Sequence, residues 1–154
     1  MRRKEKEITD IIEIEAVISS ADVCRIAMAN DNIPYMVTMN FGYVSGVEKR
    51  LYFHCAREGR KLEMIRKNNY VCFEFDTDHN LYKNTTACDF GMNYRSVVGY
   101  GKITVITDDQ EKRAGLDTIM SQYSKEKDYS YRETSLNKML LLRLDILTMT
   151  GKKG

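Results

Sequence analysis

The chain has 154 residues, with 24 Lys+Arg against 22 Asp+Glu for a formal net charge of +2, and 43% of it is hydrophobic. That length suits a single domain over residues 1–154, because domains run to about 100–200 residues and a chain of this size buries roughly two-thirds of its unfolded surface. The balanced charge excludes the basic excess of a nucleic-acid module, and a supply of two histidines, His54 and His79, shortens the menu of catalytic groups.

The first periodic segment is helical: Ile8, Ile11, Ile12, Ile14, Val17 and Ile18 recur at three- and four-residue steps up to Ala21, with Thr9 or Asp10 as cap. Val23–Ala29 reads as a strand and Asn30-Asp31-Asn32 as a turn. Pro34–Tyr43 (PYMVTMNFGY) reads as a second strand, with Pro34 at its first residue, where a missing N–H is tolerated. Leu51–Ala56 is a third strand and the hairpin partner of the second. Glu58–Lys67 shows a helical period, ended by Asn68-Asn69, and Tyr70–Phe75 is a fourth strand. Residues 78–93 are polar and broken and take no assignment. Tyr94–Thr107 is a long strand whose Gly99 and Gly101 point to a bulge, a barrel corner or a close approach. Asp108–Tyr123 is a helix opened by an Asp pair, and Met139–Thr148 is a last strand after a charged, tyrosine-rich loop. Six strands with three helices predict a mainly β fold, a closed antiparallel barrel with attached helices.

Chemistry concentrates in Leu51–Lys61, LYFHCAREGRK. On a strand, Phe53 and Cys55 face one way and His54 the other. The strand then runs into a helix whose first turn holds Arg60 and Lys61. Cations there oppose the helix dipole by about a few tenths of a kcal/mol each, and a bound phosphate would reverse that sign. Gly59 lets the backbone approach such a group closely. A solvated basic turn, partly neutralised by Glu58, is the alternative. The four cysteines, at 24, 55, 72 and 88, are 31, 17 and 16 residues apart. That leaves no CxxC pair and no zinc pattern, so no metal site is expected. Reduced thiols, a start (MRRKEKEITD) without a signal peptide's apolar stretch, and no run near the ~18 apolar residues of a membrane span predict a cytoplasmic protein that does not enter a membrane.

Four pieces in register, VCRIAMA, PYMVTMNFGY, LYFHCAREGRK and ACDFGMNYRSVVGYGK, resemble the 5-nitroimidazole resistance proteins, a branch of the pyridoxamine 5′-phosphate oxidase-like flavoproteins. The resemblance runs from about Arg2 to Lys152. It implies a six-stranded split β-barrel, a homodimer, and FMN held in a cleft at the dimer interface. It implies further that the backbone around Val37, Thr38, Met39 and Asn40 lies along the isoalloxazine, that Phe53 and His54 reach the ribityl chain and ring edge, that Arg60 and Lys61 hold the phosphate, and that Ser96 supplies a polar contact. Thr38 departs from that branch, which usually has proline there. The chain also lacks the Arg-, Pro- and Trp-rich end of true pyridoxamine phosphate oxidases, offering only RLDILTMTGKKG after Leu142, which argues against vitamin B6 oxidation.

The function implied is reduction of small aromatic or nitro compounds by an external donor such as NAD(P)H. His54 would be the proton-delivering catalytic residue, and Tyr35, Tyr43 and Tyr94 are candidates for stacking on a planar ligand. A flavin- or haem-binding module without turnover is the alternative, and a dimer with an empty cleft a third reading, since no nicotinamide fingerprint is present.

Overall fold

The structure, a computed structural model, describes residues 3–154. Helix α1 (Ile11–Ser20) follows a two-residue strand, β1 (Glu7–Ile8). It begins at Asp10, whose carboxylate accepts from the Ile12 N–H at 2.9 Å. Its Ile14, Val17 and Ile18 are buried. Strands β2 (Cys24–Asn30) and β3 (Ile33–Met39) form a hairpin through Asp31-Asn32, both with positive φ, the two-residue turn whose twist matches the flanking strands. Then come β4 (Gly42–Val44), β5 (Arg50–Ala56), α2 (Arg60–Lys67), β6 (Tyr70–Tyr82), β7 (Gly91–Ile106), α3 (Asp109–Tyr123), α4 (Glu133–Leu136) and β8 (Met139–Lys153).

All strand pairings are antiparallel, in the spatial order β3-β2-β6-β7-β8-β5-β4, with β1 against the end of β8. The six strands expected are therefore eight among the described residues. One addition, β1, is too short to show a period. The other arises because Pro34–Tyr43 is two strands: Asn40-Phe41 interrupts it, and the chain leaves one end of the sheet to start the other. Phe41 is fully buried, and its N–H donates to the Tyr123 hydroxyl at 3.1 Å. The closed barrel is corrected likewise. Among the described residues no ladder joins β3 to β4. The sheet is open, its two outer strands linked covalently by two residues.

Other boundaries shift for local reasons. The third predicted strand, β5, does form a hairpin, but only with the β4 end of the predicted second strand. Pro34 is the second residue of β3 rather than its first. Half of residues 78–93 are strand: β6 and β7 continue as a ribbon, Asn80 to Tyr82 against Gly91 to Asn93, beyond a register shift after Thr77, with 83–90 as the connection. With neither face buried, these residues show no alternation for the sequence to reveal. Of the bulge, corner or close approach expected at Gly99 and Gly101, a register shift of the bulge kind lies between Tyr100 and Gly101 against β8.

Two apolar clusters hold the fold. Phe41, Phe53, Phe73, Phe75, Leu142 and Leu144 fill the interior. Tyr52, Ile106, Leu116, Ile119 and Leu141 form the second, beneath α3. Strands β5 and β8 are thus buried on both faces, which is why Leu51–Phe53 and Leu140–Leu142 read as continuous apolar runs. Gly42 is where α3 crosses β4: a Cβ there would meet the Ile119 nitrogen and the Thr118 carbonyl carbon at 2.5 Å. Among the described residues no helix is long and apolar enough to cross a membrane.

Candidate functional site

At the end of β5 the chain turns through Arg57-Glu58-Gly59 into α2. Gly59 precedes the helix with φ +132°, a value that side chains rarely adopt, and no side chain caps the helix. Its carbonyl accepts from the Leu62 and Glu63 N–H groups at 2.9 and 3.3 Å. Leu62, Met64 and Ile65 are buried, so the apolar stripe fixes how α2 sits and leaves its first turn at the surface. From that turn both cations lean toward β3. The Arg60 guanidinium lies 4.9 Å from the centre of the Tyr35 ring, and Lys61 Nζ lies 3.5 Å from Met39 Sδ. Burial pushes the Cys55 thiol above its ordinary pKa, while the Lys61 charge pulls it back.

Strand β3 ends the sheet, so one of its backbone edges has no ladder partner. On it, Val37 and Met39 pack toward the interior and Thr38 is exposed, as is Asn40 just beyond its end. Thr38 stands opposite Arg25, which bonds Glu74 at 3.0 Å and also Asp76. His79 Nε2 lies 3.1 Å from Asp76. Burial, then the neighbouring Asp76, raises the Glu74 carboxyl above its ordinary value, and these outweigh the lowering by Arg25. Ser96 stands opposite Asp76 on one side and Lys152 on the other. It shares the outer face with Thr38, with the Arg25–Asp76 pair between them.

Phe53 and His54 diverge. The Phe53 side chain is fully buried in the interior, so only its main chain is left to face a ligand. His54 is exposed on the opposite face of β5 and, with Leu116, Ile119, Met120, Tyr131 and Met139, lines a pocket of about 220 Å³ under α3. The structure therefore unites Arg60, Lys61, Tyr35 and Met39 at one corner, and sets His54 on the other side of the strand that leads into it. Reading the sequence misses the α3 wall, Tyr131 and Met139, because residues more than sixty positions from His54 share no period with it. It misses Arg25 too; a lone charge in the apolar run VCRIAMA was the available signal.

The profile of the family described as pyridoxamine 5′-phosphate oxidase matches residues 10–153. The chain belongs to that family. It is 36% identical to a candidate 5-nitroimidazole antibiotic resistance protein of Bacteroides thetaiotaomicron VPI-5482, covering 96% of this chain and 86% of that one with a TM-score of 0.84. It is also similar to a flavocytochrome of Azotobacter vinelandii, at 17% identity over 100% of this chain and 72% of that one, TM-score 0.81. An FAD- and haem-binding protein of Mycobacterium smegmatis matches at 17% identity over 97% and 73%, TM-score 0.82. The last two likenesses show the fold alone. No curated protein matches the sequence. The open sheet with linked ends fits the split-barrel arrangement of this pyridoxamine 5′-phosphate oxidase family.

Proposed function

We propose that this family member is an FMN-dependent reductase of small aromatic or nitro compounds, working as a cytoplasmic homodimer. One observation carries the reading: the uncapped, basic first turn of α2 meets the side chains of the edge strand β3, with Arg60 against Tyr35 and Lys61 against Met39. Free N–H groups and two cations suit a phosphate monoester. The Val37–Asn40 backbone offers donors and acceptors to the polar rim of a planar ring. FMN has both parts, and when bound it supplies the electron transfer to the acceptor.

The chain's own residues bind and orient. Arg60 and Lys61 offset the phosphate charge, and Gly59 keeps the approach to the α2 N-terminus clear, since a Cβ there would meet nothing within 4 Å. Thr38 and Ser96 hold hydroxyls on the outer face. His54 gives a proton from an imidazole nitrogen to the reduced acceptor, a role suited to the side-chain type that changes charge in the physiological range. Electrons come from an external donor such as NAD(P)H. Met36, Val98 and Tyr100 stand exposed on the outer face of the sheet, with Tyr100 stacked on Tyr70 at 5.9 Å. Exposed apolar surface of this kind supports a second copy as its cover.

Purified protein is expected to be yellow, to have a dimer's mass in light scattering, and to consume NAD(P)H with a nitroimidazole. A colourless protein that cannot be loaded with FMN overturns the reading. FMN or haem that titrates in without NAD(P)H consumption above the His54→Ala variant leaves a binding module without turnover.

A further inference from the structure

Three cations fall within Arg57-Glu58-Gly59-Arg60-Lys61, and the structure divides them. Arg60 and Lys61 lean onto Tyr35 and Met39 of β3, whereas the Arg57 guanidinium donates from Nη1 to the Asn137 carbonyl at 3.1 Å, at the start of β8. We propose that Arg57 is a positioning residue of the phosphate corner. It does not touch the anion but holds the turn that presents α2 to it, an inference that rests on the phosphate reading of that corner.

The turn has little else to fix it. Arg57, Glu58 and Gly59 are all exposed. A Cβ at Gly59 would meet nothing within 4 Å, so packing does not restrain the backbone there, and no side chain caps α2. Glycine also has the most conformational freedom to lose on ordering. Among the described residues, the Arg57 bond is the one side-chain hydrogen bond from this turn to another segment.

The accepting end is firm. Asn137 closes α4, and its own N–H donates to the Glu133 carbonyl at 2.9 Å. The buried Lys112 of α3 donates from Nζ to the carbonyls on either side, those of Leu136 and Met139, at 2.5 and 3.1 Å. Leu136 is buried, and Met139 stands opposite Ala56 in the β5–β8 ladder. The residue before Arg57 is thus held by the ladder and Arg57 itself by its side chain. A guanidinium suits this place, because the last carbonyls of a helix lack partners within it.

A turn ordered before the ligand arrives spares binding the cost of ordering it. The free N–H groups of α2 and the two cations behind them then meet a phosphate at a fixed place. This hold serves the phosphate and not the ring, because the stretch assigned to the ring is Val37–Asn40, on and just beyond β3, a segment that Arg57 does not bond. FMN should therefore feel the loss of Arg57, and riboflavin, the same molecule without the phosphate, should not.

The test combines ¹⁵N relaxation of the flavin-free full chain with fluorescence titrations of FMN and riboflavin, on Arg57→Ala and Arg57→Lys. In Arg57→Ala the order parameters of the Gly59, Arg60 and Lys61 amides should fall from about 0.85, the rigid-backbone value, toward about 0.6. FMN should bind that variant roughly tenfold more weakly, as loss of one hydrogen bond from a charged donor implies, with riboflavin affinity unchanged. Arg57→Lys keeps a cationic donor and should restore most of both the order and the FMN affinity. Weaker FMN binding with the order unchanged makes Arg57 a direct phosphate ligand and overturns the proposal. So does lost order with FMN affinity intact, or an equal loss for riboflavin. Failure of the unaltered chain to load FMN overturns the flavin reading alone. Inorganic phosphate, followed by the Gly59 and Arg60 amide shifts, then replaces FMN, and equal phosphate affinity in the unaltered chain and Arg57→Ala overturns the role given to Arg57.

Discussion

The two faces of β5 carry alternate residues of one seven-residue strand and do different work. Leu51, Phe53 and Cys55 face the interior, and the strand delivers its next turn, with Arg60 and Lys61, to a charged corner. Tyr52 and His54 face α3, where an apolar cluster and a pocket lie under a helix. The period of two sorts them: one residue of offset separates a packing position from a position free to act. Inside, burial leaves stability as the only role. Outside, an exposed imidazole costs the fold little, and its worth lies in what it meets.

Breaking the inner face should have the largest effect. Phe53→Ala removes a fully buried ring from the main cluster, and calorimetry or denaturant unfolding should show a loss of about 3–5 kcal/mol. The corner comes next. Arg60 is exposed and Lys61 half-buried, so Arg60→Ala with Lys61→Ala should leave the melting temperature within a few degrees while weakening FMN binding roughly a hundredfold or more, from the loss of two charge-assisted contacts. Flavin fluorescence titration measures it.

The outer face sharpens the contrast. His54→Ala should change stability by no more than about 0.5 kcal/mol and leave FMN affinity intact, yet lower turnover of a nitro acceptor roughly a hundredfold, as loss of a proton donor does. A variant as unstable as Phe53→Ala would show that both faces are structural. The smallest effect is a pH slope on the outer sheet. The Glu74 carboxyl is raised in the folded state above its ordinary 4.5, so it binds its proton more tightly folded than unfolded. Its contribution is present below the ordinary value and lost as pH rises through the raised one. Unfolding curves from pH 4 to 7 should flatten in Glu74→Gln.

Periodicity made most of this legible. The helices over 11–20, 60–67 and 109–123 and the long strands carry clean patterns, and Arg60-Lys61 after a glycine stands out as a candidate anion site in the letters alone. The break at Asn40-Phe41 is not visible, because Phe41 continues an apolar run although its side chain belongs to the interior and its N–H to Tyr123. The β6–β7 ribbon is hidden because a strand pair without a buried face has no reason to alternate. The pocket under α3 depends on Tyr131 and Met139 being tied to a helix by Lys112 and Asp117, contacts between positions that no local rule relates.

Pro34 has a consequence for association. A terminal strand with unpaired donors invites another chain to extend the sheet, the route to aggregation and fibrils. Proline removes one donor from β3, near the end that begins at Ile33. A passing strand therefore meets a gap at that end and a complete set of main-chain groups only over Tyr35–Met39, five residues, a shortened template for strand addition. What protects the cell from sticky sheets here also reserves the remaining stretch of edge for something shorter than a polypeptide.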